Sequence, residues 1–218
     1  MTTQPTKQKT YFAFDKAQRV AAHIYQLLEP HCEKIHLAGS IRRLELQVSD
    51  IEIVCIPKKE EKKVGLFPED TALVTDRNFV EAFMTITKEI KYGNVEGRMM
   101  KIITTSQTCP GIELDLFMPQ PGDYYRQYAI RTGSAEYSHH ILAGAWSRKG
   151  WVGAKNIGLR KRGECIGSNE KGWTLNPAIK NPTLPPVWKT EGEFFTWLGL
   201  AYIDPEHRKY NQQQNQTR

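Results

Sequence analysis

The chain has 218 residues, enough for one large domain or two small ones, and 39% of them are hydrophobic, which allows a buried core. No apolar run reaches the roughly 20 residues that span a bilayer, and the opening MTTQPTKQKT lacks a secretory apolar stretch, so a soluble intracellular protein without a membrane partner is expected. Thirty Lys and Arg against 24 Asp and Glu give a net charge of +6 and a pI near 9.1, which suits a polyanionic partner.

Residues 1–10 are polar and read as a disordered tail. Ala17, Val20, Ala21, Ile24, Leu27 and Leu28 recur at helical spacing, so a helix runs from Phe14 to about Glu29, and Pro30 ends it. KIHLAG reads as a strand and SIRRLE as a brief helix opening at Ser40. DIEIVCIP reads as a strand whose first residues alternate polar and apolar. Lys58 to Asp70 is expected as a polar loop. Asp76 is a plausible N-cap for a helix that carries Phe79, Phe83, Ile86 and Ile90 on one face and stops near YGN. RMMKIITT and IELDLFMP read as two further strands, joined by a turn around CPG.

After Pro121, glycine, tryptophan and basic residues become common. A helix is predicted from Ser134 to about Ser147, a proline-rich connector at 181–186 and a last short helix at EGEFFTWLGL; residues 210–218 form a second polar tail. Tyr124, Tyr125 and Tyr128 read as packing groups, and His139 and His140 as ordinary histidines rather than metal ligands. Cys32, Cys55, Cys109 and Cys165 are widely spaced, without a CxxC or Cys/His pattern, and read as reduced thiols.

Basic residues cluster twice: Lys58, Lys59, Lys62 and Lys63, then Arg148, Lys149, Lys155, Arg160, Lys161 and Arg162. Trp146 and Trp151 interleave with the second cluster. Aromatic and basic residues together suit a nucleic-acid surface, so the second cluster above all is a candidate nucleic-acid contact.

Asp50 and Glu52 stand two apart on the DIEIVCIP strand and share a face, which leaves Ile51 and Ile53 for the core. Glu113 and Asp115 form a second such pair. If the two strands are neighbours, the carboxylates converge, and bare carboxylates in one place repel and lose hydration. Magnesium is the natural counter-charge, because it takes hard oxygen ligands and substrate phosphates. Two such ions clamp the attacking and leaving oxygens of a phosphoryl transfer. Ahead of these acids, Gly39 permits close backbone approach, Ser40 opens a short helix whose first N–H groups attract anions, and Arg43 can grip a phosphate oxygen.

At these residues the sequence resembles the family X DNA polymerases, the group that includes DNA polymerase beta. GSIRR has the family's Gly-Ser-x-Arg-Arg form. SDIEIV stands where the family has Gly-Asp-x-Asp, ELDLFMP resembles the third-aspartate strand, and RTGS resembles the Thr-Gly turn facing the incoming sugar. FFTWLGLAYIDPEHR resembles the closing Leu-Gly-Leu, Tyr-x-x-Pro-x-x-Arg signature. The likeness spans Phe14 to Arg208, loosely in the middle. It departs from the family at Glu52 for aspartate, at Ser49 for glycine, and at Ile130-Arg131 for paired aromatics.

The resemblance implies an α+β fold: a nucleotidyltransferase palm of mixed sheet and flanking helices over 11–128, then a small C-terminal nucleotide- and DNA-binding subdomain over 129–209. Asp50, Glu52 and Asp115 would be the catalytic metal ligands for two Mg2+, with Mn2+ able to substitute. Gly39, Ser40, Arg43, Ser49, Thr132 and Gly133 would contact the nucleotide, and both basic clusters would contact DNA. With about ten tail residues and one helix ahead of the Gly-Ser strand, the N-terminal lyase and helix-hairpin-helix modules of larger members are expected to be missing.

Three readings stay open. One is a monomeric DNA-directed polymerase that takes dNTP and a gapped or primer–template duplex, in gap filling or end repair. Another is a template-independent nucleotidyltransferase acting on DNA ends, RNA or a small molecule. The third is a non-catalytic nucleic-acid-binding relic.

Overall fold

In the computed structural model residues 9–65, 67 and 70–210 are described. They belong to two units, Met1–Met118 and Pro119–Arg218. The expected tails lie outside the described residues except for Lys9, Thr10 and Tyr210.

The first unit begins with β1 (Phe12–Ala13) and α1 (Phe14–Leu28). The stripe Ala17, Val20, Ala21, Ile24 and Leu28 is buried, as its spacing predicts, and Pro30 lies in a 3-10 turn that closes the helix. Then come β2 (Cys32–Leu37), α2 (Gly39–Arg42), β3 (Gln47–Val48) and β4 (Asp50–Pro57). β5 (Lys59–Lys63) and β6 (Thr71–Thr75) form an antiparallel hairpin where a plain loop was expected.

α3 (Arg77–Thr85) starts as foreseen, with the Asp76 carboxylate accepting from Phe79 N at 3.1 Å. Such a cap is worth about 1 kcal/mol. The helix does not continue to Ile90, however. The β-branched run Thr85-Ile86-Thr87 favours extended backbone, and the chain enters β7 (Thr87–Gly93), which pairs with β8 (Met99–Thr104). Ile90 is therefore half-exposed on an outer strand. β9 (Glu113–Phe117) completes the unit.

Five strands form one mixed sheet in the order β2-β4-β9-β8-β7; β4 and β9 are parallel and the other pairs antiparallel. The α1 stripe, Phe79 and Phe83 pack with Ile51, Ile53, Met100, Ile102, Leu114 and Leu116 in one core. Residues 50, 52, 113 and 115, at the alternate positions, are left for the other face.

The second unit opens with α4 (Tyr124–Thr132), a helix the sequence reading had not placed. The expected boundary after residue 128 falls inside this helix, whose Ala129 is a core member of the second unit and whose Tyr125 and Ile130 pack against that core. Tyr124 and Tyr128 are buried, as packing groups. The helix expected at 134–147 is made of α5 (Ala135–Tyr137), a π-helical stretch at Ser138–Ala143, and α6 (Gly144–Arg148). β10 (Trp151–Ala154) and β11 (Gly158–Lys161) form one hairpin, and β12 (Cys165–Ser168) and β13 (Gly172–Leu175) another. The four strands are ordered β11-β10-β13-β12. α7 (Glu191–Leu198) ends on Gly199 in the left-handed conformation (φ 75°).

Trp146, Trp151, Trp188, Phe194, Phe195 and Leu198 form the second core. Beside it the Arg208 guanidinium is fully buried and grips Glu191 with two bonds of 2.6 and 3.0 Å, while its Nε donates to Ile203 O at 2.8 Å. Its charge also faces the rings of Phe195 and Tyr202 at 4.8 and 5.1 Å. Ser134 N donates to Arg208 O at 3.1 Å, so the chain's last described segment is tied to the turn before α5. Removing one member strands the other's charge. Arg208→Met is expected to lower unfolding stability by about 3–5 kcal/mol, with Glu191→Leu added recovering part of the loss, both read as urea midpoints.

Candidate active site

The parallel register sets Asp50 beside Glu113 and Glu52 beside Asp115. On the other side of β9, Lys101 of β8 faces Asp115. Four carboxylates and one ammonium thus occupy adjacent positions on one sheet face, while Ile51, Ile53, Leu114 and Leu116 are fully buried on the other. The expected juxtaposition of Asp50, Glu52 and Asp115 is present at the level of the backbone.

Their side chains, however, are turned to separate neighbours. Asp115 Oδ1 lies 2.9 Å from Lys101 Nζ. Asp50 is 3.8 Å from the exposed Lys9 ammonium. Glu52 folds over Gly39, so closely that a Cβ on Gly39 would meet its Oε2 at 2.0 Å. Among the described residues no three His, Cys, Asp or Glu side chains stand close enough together to hold a metal ion. The donor chemistry still fits a hard cation, because the four acids on this face offer only oxygen ligands. Asp115 Oδ1 is moreover buried, and the Lys101 ammonium is its ion-pair partner. Burial pushes the Asp115 carboxyl above the usual aspartate range; Asp50 and Glu113 push the same way, and Lys101 opposes them.

The Gly-Ser turn sits next to these acids. Ala38 N donates to Glu52 O at 2.8 Å, and Gly39 then takes φ +61°, which a side chain resists. The glycine serves two needs: the backbone turn and room for the Glu52 carboxylate. The short helix α2 begins at Gly39 rather than Ser40; the buried Ser40 hydroxyl has no hydrogen-bond partner. Arg43 is largely buried and pairs with Glu45 at 3.3 Å, a partner that the sequence reading missed. Ser49 is half-buried one residue ahead of Asp50.

The expected contacts of the second unit have local structural explanations. Thr132 is fully buried and its hydroxyl donates to Tyr128 O at 2.7 Å, so its side chain is not presented to a ligand. Gly133 is required by packing, since a Cβ there would meet the Tyr137 ring at 2.6 Å.

The basic clusters divide. Lys59 is held by Thr75 and Glu96 at 2.9 and 3.0 Å, and Lys58 by Pro30 O at 2.7 Å; Lys62 is exposed on a strand that also carries Glu60 and Glu61. In the second unit Trp146 and Trp151 are core residues, not exposed stacking platforms. Lys161 faces Trp151 across the ladder, its Nζ 4.3 Å from the ring, whereas Arg160 faces the opposite way with Val152. Arg148, Lys149, Lys155 and Arg162 are exposed. Arg162 N donates to Gly150 O, which draws Arg162 towards Lys149. A cleft of about 330 Å³ lined by Arg19, His23, Thr105 and Ser106 contains none of the sheet-face acids. His140 stacks on Tyr210 at 4.5 Å, and the four cysteines are free thiols.

Among solved structures, the chain is similar to that of Leishmania infantum polymerase beta in a ternary P/T complex. The TM-score is 0.61 at 14% identity, over 91% of this chain and 77% of that one. No protein-family model matches the sequence, and no curated protein matches it. The fold is thus an α+β fold of the polymerase beta type. No helix among the described residues is long and apolar enough to cross a membrane.

The raised Asp115 carboxyl has a consequence for stability. A folded-state value above the unfolded one means that the folded protein holds the proton more tightly. That contribution is complete below the ordinary aspartate range and is lost as pH rises through the raised value. Asp115→Asn, without added metal, is therefore expected to raise Tm at neutral pH and to lose that advantage in acid, as read by thermal melts across pH.

Proposed function

We propose that this chain is a Mg2+-dependent, DNA-directed nucleotidyltransferase that adds a dNMP to a primer 3′-hydroxyl and releases pyrophosphate, in gap filling or end repair. The observation that supports it most is the β4–β9 register, which seats Asp50, Glu52 and Asp115 on one sheet face beside the Gly39–Ser40 turn. The likeness to a polymerase beta in a ternary P/T complex favours DNA as the acceptor class.

Asp50, Glu52 and Asp115 would hold magnesium, which when bound supplies charge neutralisation for the phosphates and polarises the hydroxyl. Ser40 Oγ, unpartnered and buried at the opening of α2, together with the backbone N–H groups beside it, receives a phosphate oxygen of the triphosphate. Gly39 keeps the backbone close enough for that contact, and Arg43, steadied by Glu45, adds positive charge to the loop. Asp115 is the most buried of the three acids and orients the attacking hydroxyl. Arg148, Lys149, Lys155 and Arg162 would contact the DNA backbone.

Transfer of a labelled dNMP to a gapped duplex tests the reading, with and without template. Template-directed extension that falls by at least about a hundredfold in Asp50→Ala is expected, the scale of losing a group that stabilises transition-state charge. Untemplated addition would instead favour the template-independent enzyme, and full activity in the variant would remove Asp50 from the site. DNA affinity, followed by fluorescence anisotropy, is expected to drop about 150-fold between 50 and 200 mM salt if those four residues each neutralise one phosphate. A flat response would remove DNA from the account.

A further inference from the structure

Lys101 is the only basic residue on β8 and stands where a period-2 strand would place it against the acids. Its neighbours Met100 and Ile102 are buried on the core face, and Lys101 points the other way. Its ammonium reaches two carboxylates of β9 at once, Asp115 Oδ1 at 2.9 Å and Glu113 Oε2 at 3.2 Å. The Lys101 side chain retains 29% exposure, Glu113 34% and Asp115 12%. The ammonium therefore bridges a sheltered acid and an open one.

A divalent cation ligated by either oxygen of Asp115 would sit beside the Lys101 ammonium, and two cations on one carboxylate repel each other. Glu113 offers the ammonium a second place to rest, on the same strand and two residues away. We propose that Lys101 is a positioning residue: a tethered cation that neutralises Asp115 while no metal is bound and withdraws onto Glu113 when a divalent ion takes Asp115. Glu113 is then the docking post for Lys101 and not a metal ligand. The inference rests on the reading of Asp115 as a ligand under the proposed function. Burial lowers the Lys101 pKa, but Asp115 and Glu113 more than offset it, and the ammonium stays charged.

The device has two energetic consequences. Without metal, Lys101 relieves repulsion among Asp50, Glu113 and Asp115. With metal, it is a competitor that Glu113 disarms. Lys101→Met removes the competitor, and Glu113→Gln leaves Lys101 nowhere but Asp115.

The test is Mn2+ binding to the full chain without nucleotide, followed by the loss of the free-ion paramagnetic resonance signal, together with metal-free thermal melts. Lys101→Met is expected to bind Mn2+ roughly tenfold more tightly, on the scale of one charged hydrogen bond, and to melt lower than wild type without metal. Glu113→Gln is expected to bind Mn2+ more weakly than wild type. The double variant Lys101→Met/Glu113→Gln separates docking from ligation: it is expected to bind Mn2+ as tightly as Lys101→Met, and weaker binding would make Glu113 a ligand and overturn the inference. Mn2+ binding that depends on Asp50 but is unchanged in Glu113→Gln, or in a folded Lys101→Met, overturns this inference alone. Absence of any Asp50-dependent Mn2+ binding in the wild-type chain overturns the metal reading itself, and this inference with it.

Discussion

The parallel ladder between β4 and β9 decides where charge can sit in the first unit. It pairs Ile51 with Leu114 and Ile53 with Leu116, all fully buried, and these pairs lock the register by hydrophobic burial. The same register forces Asp50, Glu52, Glu113 and Asp115 onto the opposite face. A slip of one residue would drive the acids into the core, so the apolar half of each strand holds the polar half in place. The fold spends part of that apolar stabilisation on keeping like charges together, as functional sites commonly do.

Everything near the acids is arranged around that constraint. Gly39 adopts a left-handed turn immediately after β2 and leaves room that Glu52 fills. Lys101 reaches across from β8 to the most buried acid. The second unit solves a different problem. Its small sheet is rich in glycine, and its core is built from large aromatic rings. The buried Glu191–Arg208 pair fastens the last described segment to α7 and, through Ser134, to the turn ahead of α5. A paired and fully hydrogen-bonded charge tolerates that burial, whereas a lone one would not.

Much of this was legible in the letters because it depends on short-range periodicity. The α1 stripe, the Asp76 cap, the Asp-x-Glu alternation and the Gly-Ser turn each involve residues within a few positions of one another. The failures share a cause as well. Ile86 caps α3 and is buried as its helical spacing predicts, but β8 offered Ile90 a ladder, and there long-range pairing prevailed over local spacing. The tryptophans among the basic residues resembled a binding surface, yet burial against α7 took them inward. Arg160, Lys161 and Arg162 read as one patch, although a strand sends consecutive side chains to opposite faces.

The sequence alone determined which residues could carry charge on a strand face and which glycine could turn. Those follow from residue chemistry and from periods of two and 3.6. Only the tertiary structure decided that β9 lies beside β4, that Lys101 meets Asp115, and that Arg208 is interred with Glu191. Each of these joins residues distant in the chain, and such partners are selected by the burial of whole surfaces rather than by any local pattern.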